Sequence, residues 1–170
     1  MKKTLTVVIV VLLAILMLTA CSSGKSRQGL INGVPTADEF RQKAEAAGYI
    51  VEEYPSGLLD REESDPSVYL DFSKEYDMIC SGYFAVFDTN EFASQFYAKE
   101  KEIFENMANE VGLDPLDTDS NLAYYTQFFP DFQFYVAISC IGNTVTGAEA
   151  SPEGQEELIQ LFKDLGYLPR

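Results

Sequence analysis

The sequence predicts an α+β two-layer sandwich: an antiparallel sheet of about four to five strands with helices packed on one face. Three observations carry this. Helical and strand-like stretches alternate as helix, strand, long acidic loop, strand, helix, strand, strand, helix. Two strand-like runs, 122–129 and 132–141, are separated only by Pro130-Asp131, which points to a hairpin although proline is not the usual residue of its primed turns. No glycine-rich turn follows a first strand and βα repeats are few, which argues against a doubly wound nucleotide fold.

Lys2 and Lys3 precede an apolar run from Leu5 to Leu18, which ends in Leu18-Thr19-Ala20-Cys21 before a polar segment from Ser22 to Ser26. A core of about 14 apolar or neutral residues is shorter than the roughly 20 that cross a bilayer comfortably, and the positive amino end suits an export signal. The phrase Leu18-Thr19-Ala20-Cys21 resembles a bacterial lipoprotein signal, whose cysteine thiol takes a diacylglyceryl group and becomes the first residue after cleavage. That resemblance implies a signal peptide over 1–20, lipidation at Cys21 and a place on the outer face of the bacterial cytoplasmic membrane. An uncleaved anchor and plain secretion are the alternatives. Two or more acyl chains are expected, because a single one binds only marginally. Residues 21–34, with little to bury, read as the lipidated cysteine and a flexible tether. Residues 35–170 read as one α+β domain.

Thr36 followed by Glu39 is a capping box, so a first helix is expected over about Ala37 to Ala47, with Phe40, the Lys43 stem, Ala44 and Ala47 inward and Gly48 as its stop. Tyr49 to Tyr54 reads as a strand closed by Pro55-Ser56-Gly57. The next stretch, to Asp77, is mostly acidic and long for a loop, with Val68 to Phe72 as a short edge strand. Met78 to Phe87 is the firmest central strand, apolar on both faces. Asp88 with Glu91 looks like the cap of a second helix over about Thr89 to Glu110, whose Phe92, Phe96, Ile103 and Met107 recur at helical spacing. After the hairpin, Thr144 to Ala148 reads as a short last strand. Ser151 and Pro152 then open a final helix with Leu158, Ile159, Phe162 and Leu165 on its packing face and Gly166 as its end.

The chain carries 27 acidic against 12 basic residues, a formal charge of −15, and loss of Lys2 and Lys3 with the signal takes it to −17. Such a surface repels phosphate backbones and anionic lipid head groups, so nucleic acid is not expected as a partner. With no histidine, the serine–histidine–aspartate and cysteine–histidine arrangements and histidine metal sites are excluded. No pair of carboxylates is marked for acid–base work, so no enzyme activity and no cofactor are expected. Cys80 and Cys140 lie in the two most apolar strands, as a candidate disulfide or as two separate buried thiols. Asp117, Asp119 and Asn121 space oxygens like the opening of a calcium loop, but Leu122 stands where its glycine is needed and Phe128 where its glutamate is, so the stretch reads as a turn.

Three phrases carry a broader resemblance: TADEFRQKAEAAGYIV at 36–51, FAVFDTNEFASQFYAKEKEIFENM at 84–107 and GNTVTGAEASPEGQEELIQLFKDLGY at 142–167. They look like a family of small uncharacterised lipoproteins of Gram-positive, clostridial-type bacteria. The resemblance implies location and fold and supplies no site residue. The expectation is therefore a membrane-tethered extracytoplasmic interaction or structural domain, attached through the lipid on Cys21 and meeting a surface protein. The alternative is a small binding module for a divalent cation or cationic ligand, using the acidic 60–77 segment with Asp60, Glu62, Glu63, Asp65 and Asp71 as its carboxylates.

Overall fold

The computed structural model describes residues 33–54, 64–74, 80–113 and 123–169. Three helices, α1 (Ala37–Ala46), α2 (Asn90–Glu110) and α3 (Gln155–Leu165), accompany six strands: β1 (Ile50–Tyr54), β2 (Val68–Ser73), β3 (Cys80–Val86), β4 (Ala123–Phe129), β5 (Phe134–Ile141) and β6 (Thr144–Ala150). The strands form one antiparallel sheet in the order β1-β2-β3-β6-β5-β4. The class is α+β as expected, but the sheet has six strands where four to five were expected.

The helices lie on both faces, which corrects the single-faced sandwich. Phe40 and Ala44 of α1 join Leu158, Leu161, Phe162 and Leu165 of α3 over Leu70, Phe72, Phe84, Ala137 and Ala148, and we call this the first face. Ala93, Tyr97 and Ala108 of α2 pack over Ala85, Val136, Ile138 and Val145 on the second. The physical reason is that β3 and β5 are largely apolar on both sides, and an antiparallel sheet bounded by water on one side needs only one apolar face. On the first face the Phe40 ring stacks on Phe84 at 4.5 Å and tilts against Phe72 at 5.1 Å. Tyr167, just past α3, is fully buried there; its hydroxyl meets Thr144 Oγ1 at 2.6 Å, and Ser139 Oγ donates to its carbonyl at 2.7 Å.

Local chemistry sets the helix ends. The Glu39 amide donates to Thr36 Oγ1 and the Thr36 amide to Glu39 Oε2, both at 3.2 Å, which is the expected capping box. α2 is capped by Thr89, whose hydroxyl accepts from the Phe92 amide at 3.1 Å, and not by Asp88. Its buried stripe runs through Ala93, Tyr97 and Ala108, leaving Ile103 exposed. Ser151 and Pro152 belong to a turn rather than to α3, which begins at Gln155 behind Gly154. Gly166 ends α3 with φ of 83°, a left-handed conformation that glycine adopts without Cβ strain.

Register shapes the rest. β2, expected at an edge, is paired on both sides, and the edges are β1 and β4. The β4–β5 hairpin turns over Pro130 to Gln133 instead of two residues, and Gln133 takes the left-handed φ of 55°. Cys80 and Cys140 are free, buried thiols. They sit opposite Ala150 and Val145 of β6, on opposite faces, and five residues along a strand is roughly 17 Å. No disulfide can span that separation.

Candidate functional site

α2 packs on β5 and β6 and reaches Ala85 and Tyr83 of β3, leaving the second face of β1 and β2 largely open. Side chains on one face alternate along each strand, so the register sorts them into rows across the sheet. One row begins Tyr54, Tyr69, Ala85. The next runs Glu52, Asp71, Tyr83, Gly147, Ile138. The third runs Ile50, Ser73, Ser81, Glu149. From α2, Glu100 reaches over the middle row to within 3.4 Å of the Tyr83 hydroxyl.

The result is a trough with a floor of tyrosines and a rim of carboxylates. Tyr54 meets Tyr69 edge-on at 6.1 Å, Tyr69 stacks on Tyr83 at 5.7 Å with planes 13° apart, and Tyr83 meets Phe96 edge-on at 5.8 Å. Two adjoining depressions share Ser81, Gly82 and Tyr83: one of about 540 Å³ over Glu52, Tyr69 and Asp71, and one of about 280 Å³ beside Glu100, Phe104 and Glu149. Gly147 makes the floor level. A Cβ there would lie 2.8 Å from the Tyr83 ring and hydroxyl, so only glycine lets that ring lie flat on the neighbouring strand.

The electrostatics follow from partial burial of acids among acids. Asp71 is held above the usual carboxylate range, first by burial and also by Glu52, while a hydrogen bond from Tyr54 opposes the rise. Burial raises Glu100 as well, against the hydrogen bond from Tyr83. Tyr69 is pushed up to about 12, by burial before the carboxylates of Asp71 and Glu100. Burial and then Glu100 raise Tyr83 too, so these phenols stay neutral donors at pH 7. Among the described residues none of Glu52, Asp71, Glu100 and Glu149 is in an ion pair; the basic side chains that are paired go elsewhere, Arg41 to Glu53, Lys74 to Glu157 and Lys101 to Glu105. Glu52 stands directly across from Asp71, and like charges so placed destabilise a sheet by about 0.2–1 kcal/mol.

Of the carboxylates expected from the sequence, Asp71 lies in the trough and Asp65 in the turn before β2. Asp60, Glu62, Glu63 and Cys21 lie outside the described residues, as do Asp117, Asp119 and Asn121. The described residues hold no group of three or more histidine, cysteine or acidic side chains arranged to hold a metal ion. Both thiols are raised by burial, Cys140 to about 11, and neither lines the trough. What the trough offers chemically is negative charge beside electron-rich ring faces, a setting for an organic cation. Glu52, Glu100, Glu149, Tyr54, Tyr69 and Tyr83 were missed from the sequence, where nothing but a tyrosine on each of three strand-like runs could have marked them.

No family model matches the chain, and no curated protein matches it. Among solved structures, the extracellular domain of PknH from Mycobacterium tuberculosis aligns over 81% of this chain and 94% of its own, at 10% identity and a TM-score of 0.36. That likeness is too slight to assign a shared fold. No helix among the described residues is long and apolar enough to cross a membrane.

Proposed function

We propose that the chain is a membrane-tethered extracytoplasmic binding domain without catalytic activity, and that it takes up a cationic organic group in the trough. The signal-like amino terminus and the lipoprotein-like Cys21 support the location. One observation carries the binding: four carboxylates from β1, β2, β6 and α2 line two adjoining depressions beside Tyr69 and Tyr83, and among the described residues none of the four is in an ion pair. Ring faces and carboxylates together attract ammonium and guanidinium groups by about 0.5–2 kcal/mol per ring contact, more when water is excluded. A bare divalent ion fits less well, because it needs six to eight oxygens closing around a point, and these acids are spread across four elements.

The chain has 10 tyrosines and no tryptophan, so its intrinsic emission is tyrosine's and the three trough rings contribute to it. The intact chain in detergent micelles, titrated with arginine methyl ester, should show a saturable change that the Glu52→Gln, Asp71→Asn double variant loses. An unchanged response in that variant, or none to any organic cation at millimolar concentration, overturns the proposal. A full response to calcium alone would return the site to the acidic 60–77 segment.

A further inference from the structure

Resting on that cation-binding reading, we infer that the ligand is a basic segment of another protein, added as an extended strand along β1 with the pattern apolar, any, lysine or arginine, any, apolar or aromatic. β1 ends the strand order, and among the described residues no strand pairs with its outer side. Its trough-facing residues are Ile50, Glu52 and Tyr54. Ile50 is 40% and Tyr54 53% exposed, two of the four large apolar side chains left exposed among the described residues, and they flank the carboxylate at two-residue spacing. A new strand would place its alternate side chains about 5 Å from these three. A basic group opposite Glu52 also comes near Asp71, the register partner of Glu52, and the Tyr54 and Tyr69 rings beside them. On the reverse side of β1, Val51 packs into the first-face core and Glu53 is bound by Arg41 at 2.7 Å, so that side offers no free acid.

Charge selects the occupant. A second copy paired antiparallel about Glu52 would set Glu52 against itself with an Asp71 behind each, on two chains of formal charge −15. A basic strand removes that repulsion and takes up the edge hydrogen bonds that no strand fills, displacing the 3.4 Å bond by which Arg41 Nη1 donates to the Val51 carbonyl; such bonds are the usual source of affinity in strand addition.

The test titrates the intact chain in detergent micelles with the blocked heptapeptide Thr-Val-Thr-Arg-Thr-Tyr-Thr, read by nuclear magnetic resonance at the 50–54 amides. Two versions of the peptide carry N-methyl groups on alternate residues in opposite frames, another carries citrulline for arginine, and arginine methyl ester serves as the free cation. The parent peptide should bind and slow amide exchange in β1. One N-methyl frame should lose at least about tenfold in affinity while the other is spared, because only one edge of the peptide pairs. Citrulline and Glu52→Lys should weaken binding likewise. If both N-methyl frames and the ester bind as tightly as the parent, cations bind without a strand, and this inference fails while the proposed function stands. If neither peptide nor ester has any effect, both fail. If the chain dimerises through 50–54 and excludes the peptide, the edge belongs to a second copy and the inference is wrong.

Discussion

Gly147→Ala tests whether the trough floor is built as described. The new methyl would stand 2.8 Å from three atoms of Tyr83, well inside contact distance, and the obstacle is the movable end of a side chain. Tyr83 would therefore lift off the strand rather than the sheet deform. Lifting it gives up the stack on Tyr69 at 5.7 Å, the edge contact with Phe96 at 5.8 Å and the bond to Glu100 at 3.4 Å. Each ring contact is worth about 0.5–1.5 kcal/mol, so the net cost should be about 1–3 kcal/mol. Replacing glycine within a strand otherwise favours folding by about 0.5–1 kcal/mol. In a Tyr83→Ala background the same substitution should thus be neutral or stabilising, giving a coupling of about 2 kcal/mol in urea unfolding of the two single variants and the double. Equal costs in both backgrounds would refute the account of the glycine.

Three further outcomes are expected. Asp71 and Glu100 bind protons more tightly folded than unfolded, so stability should fall as pH rises from their ordinary values through their raised folded ones. Glu100→Gln should flatten that slope in pH-dependent unfolding while weakening cation uptake at pH 7. Cys80 and Cys140 should each alkylate once in denaturant and scarcely at all in the native chain at pH 8, as mass spectrometry of iodoacetamide adducts would record; a native disulfide would block both. Tyr167→Phe removes a buried hydroxyl from Thr144 and should cost about 0.5–1.5 kcal/mol in thermal unfolding.

Local chemistry was legible in the sequence wherever it acts within a few residues. Thr36 and Glu39 announced α1, and Gly166 ended α3, because caps depend on side chains and backbone a turn apart. At the β4–β5 hairpin, Phe132 and Gln133 looked like strand from their composition. They are turn because Gln133 adopts a left-handed backbone that no pattern of apolar residues reveals. The two-faced covering was half visible, since Met78 to Phe87 is apolar on both sides, yet which helix covers which side is decided by packing over long separations. The trough was hidden for the same reason. Glu52, Asp71 and Tyr83 are neighbours through strand register alone, and Glu100 reaches them only because α2 crosses the sheet where it does. The acidic run held one of the four carboxylates, Asp71, and the other three lie on β1, α2 and β6, away from it in sequence.

The strand order has a dynamic consequence. It divides the sheet into two consecutive meanders, β1-β2-β3 and β4-β5-β6, that meet along the single seam between β3 and β6. The second leaf is clamped by α2 on its inner strands, whereas β1 and β2 of the first have helix cover on one side only. Sub-global opening follows the weaker cover, so the first leaf should peel toward its β1 margin at a free energy below that of global unfolding. A ligand seated on that leaf would act as its missing cover, and its binding energy would appear as slowed opening of precisely the strands that hold it.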